Sequence, residues 1–562
     1  MSDKIGIYVC ECGPNISSKV DIERILEEIA ALEDFRDKEL IVKQHKLLCS
    51  VAGKAFLEEE IKANELTHLI CAACSPRDHD STFKEVCKKA GLNPYMYKIV
   101  NIREQCAWVI SDKEKATDKA IQYIHAGMDR VVYQQPLIEK QLDSNPDVLV
   151  IGGGIAGLQS ALTLAGKNRR VFLVEKSAEL GGTSIHFQKL LPRQGSDTAT
   201  RNRKIKEVNK NPYIKVFTST ELSKIVGFLG NFEIVLKNSE NDSETELLAG
   251  AVVLANGFQQ ANPQDFEGYN YTDNDEVYSA LEIEKMYSET NQITMKSGEL
   301  PKTVALVHCV GRKEVGYCSK ICCNYLIKIS DYLQSISSDI EIIDLFQDMC
   351  LPEKEDQEYY EELAARVIHS QRVTGTKVAG NKLTYTGING RETTIEPDMI
   401  ILAPAIIPAA DNVHFANLLN IELHETGFFQ EAHIKINPVS TNTDGVFVVG
   451  ANRGACSISD AVIQAQAAAG KVLTQLIPGQ KIIPEVMVSE ILEAYCTGCQ
   501  TCLEVCAYGA IYYDAERGIS VVNEAICRGC GNCVGSCPSG SIRTRHFTNP
   551  QLYQEVKEAL RK

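Results

Sequence analysis

The chain has 562 residues, enough for several domains, and its formal net charge of −16 argues against binding to nucleic acid or another polyanion. It contains no run of about 18 apolar residues, so we expect no transmembrane segment. The first residues lack the basic and apolar regions of a signal peptide, which predicts a cytoplasmic protein. Its 21 cysteines are too many for packing alone. Disulfide-rich proteins are short and secreted, so metal ligation is the better interpretation.

Residues 1–135 alternate predicted strands with predicted helices, which indicates a Rossmann-like α/β domain. Several cysteines fall where the strands end, and parallel sheets bind their ligands at that edge. The first interpretation is a [4Fe–4S] cluster, with Cys12 as a substitute for one of four ligands. Those four ligands are Cys10, Cys49, Cys74 and Cys106. The alternative is a docking domain with buried thiols, because scattered single cysteines are weak indications of a metal site.

Residues 143–300 are predicted to form the first part of an FAD-binding fold. An apolar strand leads into Gly152, Gly154 and Gly157, a helix follows, and a second strand ends at Glu175. This pattern is typical of dinucleotide binding. The glycines let the backbone approach a pyrophosphate at the helix N-terminus, and the acidic side chain accepts hydrogen bonds from the ribose hydroxyls.

Two later features favour FAD over NAD as the dinucleotide. Gly181 and Gly182 lie in a loop that many flavoproteins have and NAD domains lack. The segments around Gly257 and Gly450 resemble the flavin-binding segments of the thioredoxin reductase-like disulfide oxidoreductases. That resemblance implies a two-part, doubly wound FAD-binding fold, whose second part is residues 411–482.

By the same resemblance, Gly450 lies beside the ribityl chain and the helix from about Ser459 points its N-terminus at the flavin. Ala451 stands where that family commonly has Asp. The residues expected to bind FAD are Gly152, Gly154, Ile155, Ala156, Gly157, Glu175, Lys176, Gly181, Gly182, Thr183, Leu222, Ala255, Asn256, Gly257, Gly450, Ala451 and Ser459.

Residues 301–410 occupy the place of the nicotinamide-nucleotide domain of those enzymes. Here the strand TVALVHCVG leads into RKEVGYCSKICC, and the glycine fingerprint is missing. A [4Fe–4S] cluster seated at a helix start would take all four cysteines of this segment. They are Cys309, Cys318, Cys322 and Cys323. The alternative is a set of redox or core cysteines, since this spacing is less specific than a ferredoxin run.

Residues 483–562 contain two runs of the pattern C-x2-C-x2-C-x3-C, which predicts a bacterial ferredoxin domain with two [4Fe–4S] clusters. Zinc sites use other spacings. In such domains the fourth cysteine of each run binds the other cluster. The first set of ligands is Cys496, Cys499, Cys502 and Cys537, and the second is Cys527, Cys530, Cys533 and Cys506. The residues between the runs predict a hairpin that turns at 516–518.

The motifs together resemble the A subunit of heterodisulfide reductase over nearly the whole chain. They are VCECG, CSPRDHDSTF, GLNPY, NIREQC, the flavin fingerprint, YCSKICC and the ferredoxin runs. The resemblance places Lys328 near flavin N5 as a catalytic residue; otherwise it is an ordinary helix lysine. Some family members insert another ferredoxin domain in the first flavin part. Between Gly182 and Gly257 this chain has no cysteine, so we expect that insert to be absent.

The family implies an oxidoreductase subunit in which FAD splits an electron pair between a low-potential acceptor such as ferredoxin and a higher-potential acceptor such as a disulfide. Its partners would be subunits like the B and C subunits of heterodisulfide reductase, and a hydrogenase, formate dehydrogenase or NADH-oxidising module. We expect a homodimer within a larger complex, with no nucleic acid and no membrane insertion. The alternatives are a non-bifurcating conduit in a quinone-linked or ring-reducing complex, and a scaffold subunit.

Overall fold

The computed structural model describes residues 3–32, 35, 37–187 and 197–561. The chain divides into two compact units. One contains residues 1–141 together with 483–562, and the other contains residues 142–482. Within the described ranges, no helix combines the length and the apolar character needed to cross a membrane.

The N-terminal part of the first unit is a parallel four-stranded sheet in the order β2-β1-β3-β4, with helices on both faces. Ile5, Ile7 and Val9 pack against α1 and α4 on one face, while Tyr8 packs on the other. This alternation is what a buried strand requires. The elements are β1 (Lys4–Cys10), α1 (Ile22–Ala30), β2 (Glu39–His45), α2 (Val51–Ala63), β3 (His68–Ala73), α3 (Pro76–Ala90), β4 (Tyr97–Asn101), a π-helical turn (Arg103–Ala107) and α4 (Lys113–Val131).

The second unit begins with a parallel sheet whose final strand comes from far along the chain. Its order is β22-β11-β5-β6-β7, and an antiparallel sheet, β10-β9-β8, packs beside it. The elements are β5 (Val148–Ile151), α5 (Ile155–Leu164), β6 (Val171–Val174), α6 (Asp197–Lys210), β7 (Ile214–Phe217), β8 (Thr220–Phe228), β9 (Asn231–Asn238), β10 (Glu244–Ala249) and β11 (Ala251–Leu254). The flavin fold is therefore built from two stretches of chain, as predicted.

A second large sheet lies between those two stretches, in the order β14-β20-β15-β16-β17-β18-β19. Its elements, with the short strands that join it to the flavin fold, are β12 (Phe258–Gln260), β13 (Tyr269–Asn270), β14 (Val277–Ser279), α7 (Ala280–Thr290), β15 (Thr303–Val310), α8 (Arg312–Val315), α9 (Cys322–Ile336), β16 (Glu341–Phe346), α10 (Lys354–Val367), β17 (Ile368–Ala379), β18 (Lys382–Gly387), β19 (Glu392–Ile395), β20 (Met399–Pro404) and β21 (Ile406–Pro408). Because β14 pairs with β20, this domain begins before the predicted boundary at residue 301.

The chain then returns to the flavin fold through α11 (Asn412–Leu419), β22 (Val446–Val448) and α12 (Ile458–Gln475). The ferredoxin part follows, with β23 (Ser489–Ile491), α13 (Thr501–Glu504), β24 (Ile511–Asp514), β25 (Ile519–Val522), α14 (Asn532–Ser536), β26 (Ile542–Thr544) and α15 (Asn549–Ala559). Strands β24 and β25 pair antiparallel, which confirms the predicted hairpin.

The C-terminal helix α15 packs on α4 and so joins the two ends of the chain within the first unit. Glu555 pairs with Arg130 and accepts a hydrogen bond from Lys98 Nζ at 2.9 Å. Gln551 Nε2 donates to the carbonyl of Tyr133 at 3.2 Å. Since Arg130 is almost fully buried, its pairing offsets the cost of removing a guanidinium from water.

Candidate flavin and iron-sulfur sites

A cavity of about 460 Å³ lies at the carboxyl ends of β5, β6 and β11. This volume is within the range of small-molecule sites. Most of the residues that the sequence predicts to bind FAD line it. They are Gly152, Gly154, Ile155, Ala156, Glu175, Lys176, Gly181, Gly182, Thr183, Leu222, Ala255, Asn256, Gly257, Gly450 and Ala451.

The glycine-rich turn of this cavity depends on close backbone contacts. Gly152 has φ +102°, and a Cβ there would lie 2.3 Å from the carbonyl oxygen of Ala255. A Cβ on Gly157 would lie 1.8 Å from the carbonyl oxygen of Gly152, so α5 packs on β5 only without a side chain at that position. Gly157 thus acts behind the cavity rather than in its lining. No side chain caps α5, so its first amides remain available for a pyrophosphate.

Glu175 holds the same turn from the end of β6. Its carboxylate accepts hydrogen bonds from the amide of Gly153 at 2.6 Å and from the amide of Ser177 at 2.8 Å. The side chain is buried yet lines the cavity. It therefore fixes the glycine loop and presents a negatively charged acceptor where the ribose of a dinucleotide would lie.

A network of amide side chains holds the opposite wall of the cavity. Asn256 Nδ2 donates to Asp411 at 2.7 Å, and Asn452 Nδ2 donates to Asn256 Oδ1 at 3.0 Å. The amide of Gly450 donates to Gln464 at 2.7 Å. Asn452 and Gln464 were not predicted from the sequence, because single amide residues form no recognisable spacing.

Helix α12 begins one residue earlier than predicted, and this changes which residues face the cavity. Ser457 is the N-cap and accepts from the amide of Asp460 at 3.0 Å. Ser457 and Ile458 line the cavity, whereas Ser459 is exposed on the helix and does not. The first residues of α12 therefore face the cavity, and that its N-terminus points at a flavin stays a prediction.

Lys328 is buried beside the cavity and is not among its lining residues. Its Nζ lies 2.5 Å from Glu284 Oε1 and 4.5 Å from the centre of the ring of Phe187, which does line the cavity. Burial raises the pKa of the Glu284 carboxyl, and the ammonium opposes that rise. No pattern in the sequence pointed to Glu284, because it lies in an acidic helical stretch that is typical of an exposed face.

Two small cavities in the ferredoxin part match the predicted pairs of cluster ligands, including the exchange of the fourth cysteine. Cys496, Cys499, Cys502 and Cys537 line one. Cys506, Cys527, Cys530 and Cys533 line the other. Across the described ranges, no three His, Cys, Asp or Glu side chains are arranged to hold a single metal ion. The thiols instead surround cavities.

Hydrogen bonds favour the thiolate form at several of these cysteines. Burial acts to raise the pKa of Cys537, but donors from Ser541 and Ser539 outweigh it and lower that pKa to about 7. The amide of Ala510 donates to Cys506 Sγ at 3.3 Å. Cluster ligation requires thiolates, and hydrogen bonds to sulfur also set the reduction potential.

The cysteines of the second large sheet also come together. Cys309 lies one residue before the end of β15 and has a left-handed φ of +60°, and Cys322 and Cys323 begin α9. The thiols of Cys309 and Cys323 both lie 3.9 Å from the carbonyl oxygen of Asp348. The hydrogen bond to Cys323 and burial raise the pKa of Cys322, and the nearby thiols of Cys309 and Cys318 raise it further. The left-handed conformation costs a non-glycine residue about 1–2 kcal/mol, and strained backbone of this kind recurs at functional sites.

A buried histidine–aspartate pair lies behind these thiols and was not predicted. His308 Nε2 lies 2.6 Å from Asp344 Oδ1, and both side chains are almost fully buried. Hydrogen bonds from Cys322 and His308 lower the pKa of the Cys323 thiol. A cluster seated on these cysteines would therefore meet one thiol already disposed to ionise.

In the N-terminal domain, the structure brings together three of the four preferred cysteines and the substitute. Cys10, Cys49 and Cys74 lie on one side of the sheet edge, and Cys12 lies with them. Cys12 has a left-handed φ of +47°. Cys106 packs on the opposite face, among residues of β1 and α4, and burial raises its pKa to about 12.

The guanidinium of Arg103 lies beside this group of thiols. Arg103 Nη1 lies 3.9 Å from Cys12 Sγ, and the guanidinium also acts to lower the pKa of Cys74. Burial nevertheless dominates there and raises the pKa of Cys74 to about 11. The placement favours Cys12 over Cys106 as the fourth ligand of a cluster.

Two models of known families match this chain. The model of the pyridine nucleotide-disulphide oxidoreductases matches residues 146–470, and that of 4Fe-4S dicluster domains matches residues 495–541. These matches define an FAD-binding oxidoreductase with an iron-sulfur ferredoxin domain. Among solved structures, the thioredoxin reductase of T. acidophilum is 16% identical, covering 59% of this chain and 99% of its own, with a TM-score of 0.39.

Similarity to curated relatives identifies the family within this class of oxidoreductases. The iron-sulfur A subunit numbered 2 of the CoB–CoM heterodisulfide reductase of Methanopyrus kandleri is 30% identical, with 99% of each chain covered. The A subunit of the H2:CoB–CoM heterodisulfide, ferredoxin reductase of Methanothermobacter thermautotrophicus is 29% identical, covering 99% of this chain and 97% of its own. The chain therefore belongs to the family of heterodisulfide reductase A subunits.

The relatives are longer than this chain. The alignment with the Methanopyrus protein extends over 652 residues, 90 more than the 562 of the chain. That relative therefore has at least 90 residues without a counterpart here. This difference agrees with the expected absence of an inserted domain.

The close packing around Gly157 predicts the effect of replacing this residue with alanine. We expect Gly157→Ala to weaken FAD binding by about tenfold or more, because its Cβ would push α5 away from β5 and open the pyrophosphate site. Flavin absorbance per chain and titration with FAD would measure this. Gly166→Ala is the matched control, since no atom lies within 4 Å of its Cβ position. Equal flavin content in both variants would contradict the account.

The two ferredoxin cavities predict which double variants lose one cluster. Because Cys496 and Cys537 line the same cavity, Cys496→Ala with Cys537→Ala should lose about four irons per chain. Cys496→Ala with Cys506→Ala should lose about eight, since these cysteines line different cavities. Iron and sulfide analysis after anaerobic reconstitution would show the difference. The reverse result would mean that each run binds its own cluster.

The N-terminal domain yields a test between two cysteines. We expect Cys12→Ala to lower the iron content by about four atoms per chain and Cys106→Ala to leave it unchanged, because only Cys12 lies with the other thiols. The same iron analysis applies. Loss in the Cys106 variant alone would restore the first set of ligands, and no loss in either variant would contradict Cys12 as a ligand.

Proposed function

We propose that this chain carries FAD and four [4Fe–4S] clusters and splits electron pairs between two partner proteins. The clusters would be two in the ferredoxin part, one at Cys309, Cys318, Cys322 and Cys323, and one in the N-terminal domain. A bound FAD supplies the chemistry, because it takes up two electrons and can release them singly. The protein would supply the clusters that carry single electrons to the two partners.

The observation that carries this proposal is the position of α9 between a thiol site and the flavin cavity. The helix begins with Cys322 and Cys323, and Lys328 lies five residues after Cys323. Five residues of helix rise only about 7.5 Å. Lys328 in turn contacts Phe187 in the cavity wall. By the resemblance to the thioredoxin reductase-like enzymes, these thiols would replace a nicotinamide-nucleotide site, so electrons would reach the flavin through a cluster.

Lys328 and Glu284 would adjust the charge beside the flavin ring. The pair is buried, with Lys328 4% and Glu284 2% exposed, so solvent screens it little. An ammonium near a flavin favours the reduced, negatively charged form of the ring. Glu284 limits that effect and orients the ammonium, because the two side chains are in direct contact. Lys328 would act through this charge near flavin N5.

The names of the relatives indicate the chemistry of the partners. The Methanothermobacter protein is named for H2, a heterodisulfide and ferredoxin. For this chain we accordingly propose a low-potential acceptor of the ferredoxin type and a disulfide-reducing module like the B and C subunits. The donor would be a hydrogenase, formate dehydrogenase or NADH-oxidising protein, with two copies of the chain in the complex.

A second candidate function is a conduit that passes electrons one way without splitting pairs. It is favoured by the length difference, because at least 90 residues of the Methanopyrus relative have no counterpart here. If those residues bind clusters that carry electrons to one of the two acceptors, this chain has fewer electron-transfer routes than that relative. A partner would then have to supply the clusters for the second acceptor.

A redox titration of the anaerobically purified chain distinguishes these functions. If the flavin splits electron pairs, its two one-electron potentials are crossed, and the flavin spectrum should change in a single two-electron step. The cluster absorbance, followed in the same titration, should change separately. Two ordered one-electron steps would contradict bifurcation and support the conduit. A flavin that cannot be reduced would contradict both.

A further inference from the structure

Cys350, to which the sequence pattern assigned no partner, lies beside the thiols at the start of α9. Its backbone amide donates to Cys323 Sγ at 3.3 Å. Burial raises the pKa of the Cys350 thiol, and the neighbouring thiols of Cys318 and Cys323 raise it further. Five thiols rather than four therefore share this part of the structure.

Contacts made by Asp348, two residues before Cys350, hold this segment against the thiols. The carbonyl of Asp348 lies 3.9 Å from the thiols of both Cys309 and Cys323. The carboxylate of Asp348 accepts from Arg312 and from Arg372, each at 2.8 Å. These contacts hold the chain after β16 over the cysteines, so the position of Cys350 follows from the fold.

Burial separates the five thiols into three and two. Cys309, Cys322 and Cys323 are buried, whereas Cys318 and Cys350 are half-buried. The buried three lie at the end of β15 and the start of α9, and the other two lie in the loops before α9 and after β16. A [4Fe–4S] cluster needs four protein ligands. Three are thus set by regular structure, and either of two neighbouring loop thiols can supply the fourth.

We propose that Cys350 is an alternative fourth ligand of the cluster at Cys309, Cys322 and Cys323, exchanging with Cys318. The proposal rests on the proposed function, in which these cysteines hold a cluster. The exchange moves no electrons. The incoming thiol gives up its proton as its sulfur binds iron, and the outgoing thiolate takes one up. At any time one thiol of the pair is free beside the cluster.

The test compares Cys318→Ala, Cys350→Ala and the double variant after anaerobic reconstitution. Iron and sulfide per chain are measured, together with the EPR spectrum of the reduced protein. Each single variant should keep the iron content of the unaltered chain, because the remaining thiol completes the cluster. The double variant should lose about four irons. Loss in either single variant alone, or none in the double variant, would overturn the proposal.

Two further variants distinguish a failure of this exchange from a failure of the proposed function, in which these cysteines hold a cluster. Cys322→Ala with Cys323→Ala leaves three of the five thiols and should lose about four irons, and Cys87→Ala, a buried cysteine of α3, should lose none. If the variant without Cys322 and Cys323 keeps all its iron, no cluster is bound here and the proposed function fails at this point. If it loses iron and Cys318→Ala alone loses about four irons as well, only the exchange with Cys350 is refuted.

A measurement on the unaltered chain avoids any effect of substitution on folding. The iron-loaded protein is treated with iodoacetamide, and the alkylated peptides are quantified by mass spectrometry. Alkylation should be divided between Cys318 and Cys350, with a total of one per chain, while Cys309 stays protected. Alkylation of Cys350 alone in every molecule would show that Cys318 is the permanent ligand and would overturn the proposal.

Discussion

Parallel strands determine where this chain places its reactive groups. A parallel sheet has all its carboxyl ends along one edge, and the loops that leave those ends converge above it. Cys10 and Cys74 end or follow strands of the first sheet, Gly152 follows β5, and Cys309 lies one residue before the end of β15. Parallel strands of three sheets thus carry three candidate sites, although one is lined by glycines and two by cysteines. The difference lies in the residues of a few loops.

The flavin cavity and the cysteine sites stabilise negative charge in different ways. In the flavin cavity the compensation comes from the backbone, since the uncapped start of α5 offers amides to a phosphate. At the cysteines it comes from donors to sulfur, such as the amide of Ala510 and the hydroxyls beside Cys537. In both cases fixed dipoles replace water around a buried negative group. Such dipoles also influence a cofactor's potential, so packing and redox behaviour are set by the same contacts.

The sequence was most informative where chemistry demands a fixed local spacing. The ferredoxin runs and the glycine turn are such cases, and the cavities contain the predicted residues, with Cys506 and Cys537 exchanged between runs as expected. Where residues meet only through the tertiary fold, spacing carries no information. Glu284, Asn452 and the His308–Asp344 pair belong to this group, and the order β14-β20-β15 could not be read from the chain. Helix α12 begins at Ile458, next to the predicted start at about Ser459, and Ser457 and Ile458 rather than Ser459 line the cavity.

The packing of α15 on α4 has a consequence for biosynthesis. A ribosome releases the N-terminal residues first, and domains generally fold as they emerge. Residues 142–482 form a unit of their own and are fully synthesised before α15 exists. Arg130, by contrast, meets Glu555 only after residues 142–482 have been made. Residues 142–482 can therefore fold first, while the N-terminal domain is completed only after α15 has been made.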